Sequence, residues 1–166
     1  MAEIAIAETV ELPLSIQEAF EFLLSPKAFE LFTGWGPIPG VVRLDWESGS
    51  SAEEGAVGRV HNSDGSTHRE RVLEVSRPSR YVVAIDEFSS AFRWLTSGAT
   101  ESWELSSIDE GTRIERLFVF RLRSPWLWPA GVAVAALFRR AVRANHRAMV
   151  AWAKGQRSEK AGCDSA

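Results

Sequence analysis

The stretch from Pro125 to Phe138 carries no charge, and Arg139-Arg140 ends it. A membrane-spanning helix needs about 20 consecutive apolar residues. This run is shorter and contains Pro129 and Gly131. Continued to Gly155 and stepped at about 100° per residue, it resolves into two faces. Val134, Leu137, Phe138, Ala141, Ala148, Met149 and Trp152 share one arc; Arg139, Arg140, Arg143, His146, Arg147 and Lys154 take the other. Such a helix lays its stripe against an apolar partner layer. Asn145 falls near the middle of the stripe. A buried amide without a partner costs on the order of 1–3 kcal/mol, so Asn145 either bonds a core group or faces a cavity that holds water or ligand.

The rest of the chain supplies the partner layer. Residues 3–12 alternate Ile4, Ile6 and Val10 with polar or small residues, as a strand does. Ser15 and Glu18 form a capping box that opens a helix burying Ala19, Phe20, Leu23 and Leu24. A second helix restarts at once, with Ser25 as cap, Pro26 at its first position, and Phe29 and Phe32 turned inward. Residues 33–40 then break the order with two prolines and three glycines. Strands follow near 41–46, 56–63, 66–76, 80–87, 91–106 and 112–123, separated by turn residues. Consecutive strands on short turns favour an antiparallel meander. Only the long final helix is able to cover its apolar face, which makes an α+β grip around one helix. No repeat or linker divides the chain. We expect a single domain over residues 1–155 and a flexible polar tail at 156–166.

Length and composition agree. A chain of 166 residues buries a full core without disulfides or metal. A net charge of −3 gives no general attraction to nucleic acid, and no nucleic-acid partner is expected. The single cysteine, Cys163, has no partner for an intrachain disulfide, and the acidic N-terminus does not resemble a signal peptide. A cytoplasmic protein is the expectation. Acidic residues gather in the first thirty positions and basic ones in the last helix. Solvated faces explain that asymmetry, and a basic helix meeting anionic lipid is the sharper alternative.

Candidate chemistry lies in the strands. Asp64-Gly65 signals a two-residue hairpin loop. On that register Ser63 pairs with Ser66, His61 faces His68 and Arg59 faces Glu70. The same register sends Arg71 to the other face, and a bulge within 66–76 would exchange Glu70 for Arg71 in the interior. A metal shared by His61 and His68 would need a third ligand that the register does not supply, and no metal or cofactor is expected. Further on, Glu101 shares a face with Trp103 and Leu105, and Arg116 shares one with Ile114, Phe118, Phe120 and Leu122. If these faces are concave, Glu101 and Arg116 pair, meet water, or meet a polar ligand group. Tyr81, just after "RPSR", reads as a strand start outside the pocket centre.

Residues 8–32 (ETVELPLSIQEAFEFLLSPKAFELF), 57–85 (VGRVHNSDGSTHRERVLEVSRPSRYVVAI) and 111–122 (GTRIERLFVFRL), with the long final helix, resemble the polyketide cyclase/dehydrase and lipid-transport family. That family belongs to the START-like, birch-pollen-allergen superfamily (SRPBCC). The resemblance implies a helix-grip fold, a seven-stranded antiparallel sheet curled around the C-terminal helix, with two short helices after the first strand. It also implies an internal cavity for hydrophobic or aromatic small molecules. Asn145, Glu101, Arg116 and either Glu70 or Arg71 become candidate polar groups in that cavity. Phe118, Phe120, Phe138 and Met149 become candidate apolar lining, Trp94 and Trp103 candidate walls, and Trp35, Trp126 and Trp128 candidate mouth residues. The leading functional expectation is a binding or carrier protein. One alternative is an aromatase/cyclase-like lyase, for which His68, Glu70 and Glu101 are the available acid/base groups. The other is a lipid-handling protein in transient membrane contact, with Trp126 and Trp128 seated at the interface beside Arg139 and Arg140.

Overall fold

The computed structural model describes residues 2–163, with side chains described as far as Glu159. The chain starts with β1 (Glu3–Leu12), α1 (Ile16–Leu24) and α2 (Pro26–Glu30). A small hairpin, β2 (Gly34–Trp35) and β3 (Ile38–Pro39), occupies the Gly/Pro-rich break. Then come β4 (Val41–Ser48), β5 (Val57–Asn62), β6 (Thr67–Ser76), β7 (Arg80–Asp86), α3 (Phe92–Leu95), β8 (Thr96–Ile108) and β9 (Gly111–Leu122). A 3-10 turn at Pro125–Leu127 leads into α4 (Trp128–Cys163). Seven strands form one antiparallel sheet in the order β1-β9-β8-β7-β6-β5-β4, so the first strand returns to pair with the last. The fold is the α+β helix grip.

Local chemistry explains the boundaries. Ser15 Oγ accepts from Glu18 N, and Glu18 Oε2 accepts from Ser15 N at 3.0 Å, closing the capping box. Ser25 makes no side-chain cap for α2; its hydroxyl donates back to Phe22 O at 2.6 Å, and Pro26 alone starts the helix. The strand expected at 91–106 begins only at Thr96. Phe92 packs edge-on against Phe88 and Phe120, which draws residues 92–95 into a turn of helix. α4 continues through Cys163, past the boundary expected at residue 155 from its polar composition. The remaining tail residues, 164–166, and the Cys163 side chain lie outside the described part.

The β5–β6 hairpin differs by one residue from the expected register. Asn62 N donates to Ser66 O and Gly65 N to Asn62 O, so the loop holds three residues, Ser63 to Gly65. Gly65 sits at φ +81°, the left-handed conformation that closes such a loop. His61 therefore pairs with Thr67, and Val60 with His68. His61 turns to the convex face, where Nε2 meets Asp45 at 3.0 Å, and His68 turns inward. The two imidazoles lie on opposite faces of the sheet. Among the described residues no three His, Cys, Asp or Glu gather as metal ligands.

The core lies between the concave face and two helices. Ile6, Leu12, Val60, Val72, Ile114 and Phe118 project from the sheet, Phe20 from α1, and Val142, Met149 and Ala153 from α4. Phe22 stacks on Trp152 with centroids 4.2 Å apart, and Glu8 of β1 reaches both Arg139 and Arg143. No described helix is long and apolar enough to cross a membrane.

Candidate functional site

Between the first turns of α4 and the concave sheet the core gives way to a cavity of about 490 Å³. That size falls within the roughly 300–1,000 Å³ of small-molecule sites. Phe118, Phe120 and Phe138 form one wall: Phe138 meets the other two rings edge-on at 4.9 and 5.2 Å. Phe29 and Phe32 of the α2 region, Val83 and Ile85 of β7, and Phe88 and Phe92 complete the apolar lining. Exposed Pro37, Asp64 and Ala91 rim the cavity, which places its mouth between the β2–β3 hairpin, the β5–β6 turn and the approach to α3.

Polar groups converge on it from six elements. Arg116 Nε donates to Glu101 Oε1 at 2.5 Å, and Nη1 donates to Asn145 Oδ1 at 2.9 Å. Both charged side chains are within a tenth of full burial. Arginine only donates, so Asn145 must present its oxygen to it. Among the described residues Asn145 Nδ2 is left buried without a partner, as is His146 Nε2. The guanidinium also sits 3.9 Å from the Trp103 ring centroid and 4.6 Å from that of Phe118. Burial pushes Glu101 above the usual carboxylate range, with Arg116 pulling it back down, and burial lowers Arg116 from its ordinary value. Across the cavity, His68 Nε2 lies 3.5 Å from Glu70 Oε1, and Asn62 Nδ2 lies 3.4 Å from His68 Nδ1. Burial, with Glu70 and Glu101 nearby, raises the Tyr81 phenol.

The structure brings Glu101, Trp103, Arg116, Phe118, Phe120, Phe138 and Asn145 together on the cavity, with His68 and Glu70 beside them. It leaves six named candidates elsewhere. Arg71 is exposed on the convex face, because the three-residue loop sends Glu70 inward in its place. Met149 is core, 1% exposed, one turn past Asn145 where α4 closes onto the sheet. Trp35 faces out from β2 under the Arg140 guanidinium. Trp94 points to solvent from α3, and Trp128 does so from the start of α4, as does its neighbour Trp126. In the other direction, Tyr81 lines the cavity, although its position after a turn reads as peripheral. His146, placed on the polar arc by the helical wheel, is buried; burial and the Arg116 charge lower it from 6.5 to about 3.

Solved structures share the architecture. The crystal structure of Ara h 8.0201 matches with a TM-score of 0.71 and 15% identity over 93% of this chain and 99% of its own. A norcoclaurine synthase point mutant from Thalictrum, in complex with a transition-state analogue, matches at 0.64 and 10% over 94% and 97%. Protein Ms6760 from Mycobacterium smegmatis matches at 0.59 and 14% over 92% of each chain. At these identities the likeness is one of fold. No curated protein matches the chain in sequence. The family model described as polyketide cyclase/dehydrase and lipid transport matches residues 3–153, and the chain belongs to that family.

Proposed function

We propose that the chain is a cytoplasmic binding or carrier protein for a small hydrophobic or aromatic molecule held beneath α4. One observation carries this reading: a cavity of about 490 Å³ with an aromatic wall, in which Glu101, Arg116 and Asn145 form a buried, mutually bonded polar cluster opposite a second polar patch at His68 and Glu70. Apolar lining supplies affinity, and a few fixed polar groups orient the ligand. The Glu101–Arg116 pair neutralises itself, which suits an uncharged occupant better than an ion. Native mass spectrometry of the purified protein, compared with its denatured mass, tests for an occupant. Binding of an aromatic dye should then weaken in Asn145→Leu and in Trp103→Ala. If neither variant changes the affinity of any screened ligand, this assignment of the pocket is wrong.

The His68–Glu70 contact, with Tyr81 and Glu101 on the same cavity, supports a second reading as a cyclase or dehydratase-type enzyme. Those groups offer a proton donor and an acceptor around one enclosed volume. Turnover of a polyketide-like substrate that is indifferent to both Glu70→Gln and Glu101→Gln would remove this reading.

A further inference from the structure

Three tryptophans that take no part in the cavity share one end of the molecule. Trp126 is 92% exposed, Trp94 68% and Trp128 54%. Tryptophan is normally among the more buried side chains, and a cluster of exposed ones marks an interaction surface. Their proximity follows from the backbone. Arg123 N donates to Leu95 O, and Arg123 Nε donates to Arg93 O, so α3 is fastened beside the end of β9. Three residues later the chain reaches Trp126. Val132, also exposed, lies one helical turn beyond Trp128 on the same face of α4.

The segments that carry this face hold charge of one sign. From Phe88 to Thr100, and from Arg116 to Ser158, the sequence contains no Asp or Glu. Arg93 stacks over Trp94 at 5.0 Å and donates to Ser89 O, while Arg123 donates to a backbone carbonyl; among the described residues neither meets a carboxylate. Acids flank the face in register, Glu3 opposite Arg121 on β1 and Asp86 beside Gly98, two and four residues along the strands from Arg123 and Trp94. Arg139, by contrast, is held by Glu8, and Arg140 covers Trp35, so the pair expected from sequence to assist the tryptophans is engaged elsewhere.

We propose that the Trp94–Trp126–Trp128 face docks on an anionic bilayer surface. Indole rings settle at the level of the headgroups, and arginines beside them add attraction to anionic lipid. A second copy of the chain is a poorer occupant, because self-pairing would set Arg93 and Arg123 against their own kind. Contact at this face also adjoins the cavity: within α3, Phe92 lines it while Trp94 faces out. The docking goes beyond the binding reading and does not depend on it.

The test uses the full chain and large vesicles of phosphatidylcholine with or without phosphatidylglycerol. Co-sedimentation and a blue shift of tryptophan emission are expected only with the anionic vesicles, and they should weaken as salt is added. Arg93→Gln with Arg123→Gln should lower the partition coefficient on the order of 30-fold. Trp94→Ser with Trp126→Ser should remove binding, while leaving dye binding in the cavity unchanged. Circular dichroism checks that both double variants fold. Failure to sediment with anionic vesicles, or sedimentation indifferent to both double variants, overturns the proposal. So does a concentration-dependent dimer that disappears in the Trp94→Ser, Trp126→Ser variant, which would give the face to a second copy. Dye binding lost from the wild type would count against the cavity reading alone.

Discussion

The Arg116 guanidinium carbon lies 3.9 Å from the ring centroid of Trp103, its register partner on the neighbouring strand. Stacking on an indole covers one face of a buried cation, while Glu101 and Asn145 occupy its edge. Removing the cation strands a carboxylate. Arg116→Met should therefore destabilise the fold by about 3–5 kcal/mol in urea denaturation. Combining it with Glu101→Leu should restore most of that loss. A double variant no more stable than the single one would mean that the pair is worth more than its desolvation costs.

Stability should depend on pH through His146. In the folded chain the ring stays neutral down to about pH 3; unfolded, it takes up a proton near its ordinary 6.5. The unfolded state binds more protons between those values. Its contribution is fully present above 6.5 and is lost as pH falls toward 3. Glu101, raised by burial, slopes the opposite way, so the informative quantity is the difference between wild type and His146→Leu. The variant should show a flatter loss of urea midpoint on acidification, and an unchanged slope would reassign the acid sensitivity to other groups.

Two glycines separate backbone strain from steric contact. Gly65 adopts φ +81° with open space around it, whereas at Gly111, φ +151°, a Cβ would fall 2.1 Å from Leu12 O. Gly65→Ala should cost about 1–2 kcal/mol from conformation alone. Gly111→Ala should cost more, since a backbone carbonyl must also move. Thermal midpoints of the two variants give the ordering.

Val134 lines the cavity but is only half buried, so its position accepts bulk without overfilling the core. Val134→Phe should reduce the affinity of a naphthalene-based dye on the order of tenfold, about 1.4 kcal/mol, with little change in thermal midpoint. Equal affinities would place the dye outside this cavity.

The fold was legible because it rests on periodicity. Alternation of Trp103 with Glu101, and of Arg116 with Phe118 and Phe120, is enough to set them on one face, and the pairing of β8 with β9 brings them together. The hairpin register was not legible. Asp64-Gly65 suits a two-residue loop and a three-residue one equally, and one residue of slip exchanges every side chain between faces. The helical wheel erred by rotation. The buried positions Val142, His146 and Ala153 lie to one side of the arc centred on Val134, because α4 leans toward β1, where Glu8 holds Arg139 and Arg143. The tryptophans misled for another reason: an indole in a loop reads the same in sequence whether it closes a cavity or faces water.

α4 is secured unequally along its length. Val142, Met149 and Ala153 are sealed in the core and Trp152 is stacked on Phe22, whereas Val134, Leu137 and Phe138 are half buried over open volume. The helix is clamped along Val142–Ala153, whereas its cavity side is held at separate points, by buried Gly131 beside Ile4 and Leu122 and by Arg139 on Glu8. Its two halves then have different local opening energies, with the clamped half exchanging amide protons only when the whole domain unfolds. Under the proposed binding, exchange of an occupant is expected to need an opening of the cavity-side half and not of the whole domain. The proposed binding then predicts a residence time uncoupled from the lifetime of the fold, with ligand exchange faster than amide exchange in the clamped half.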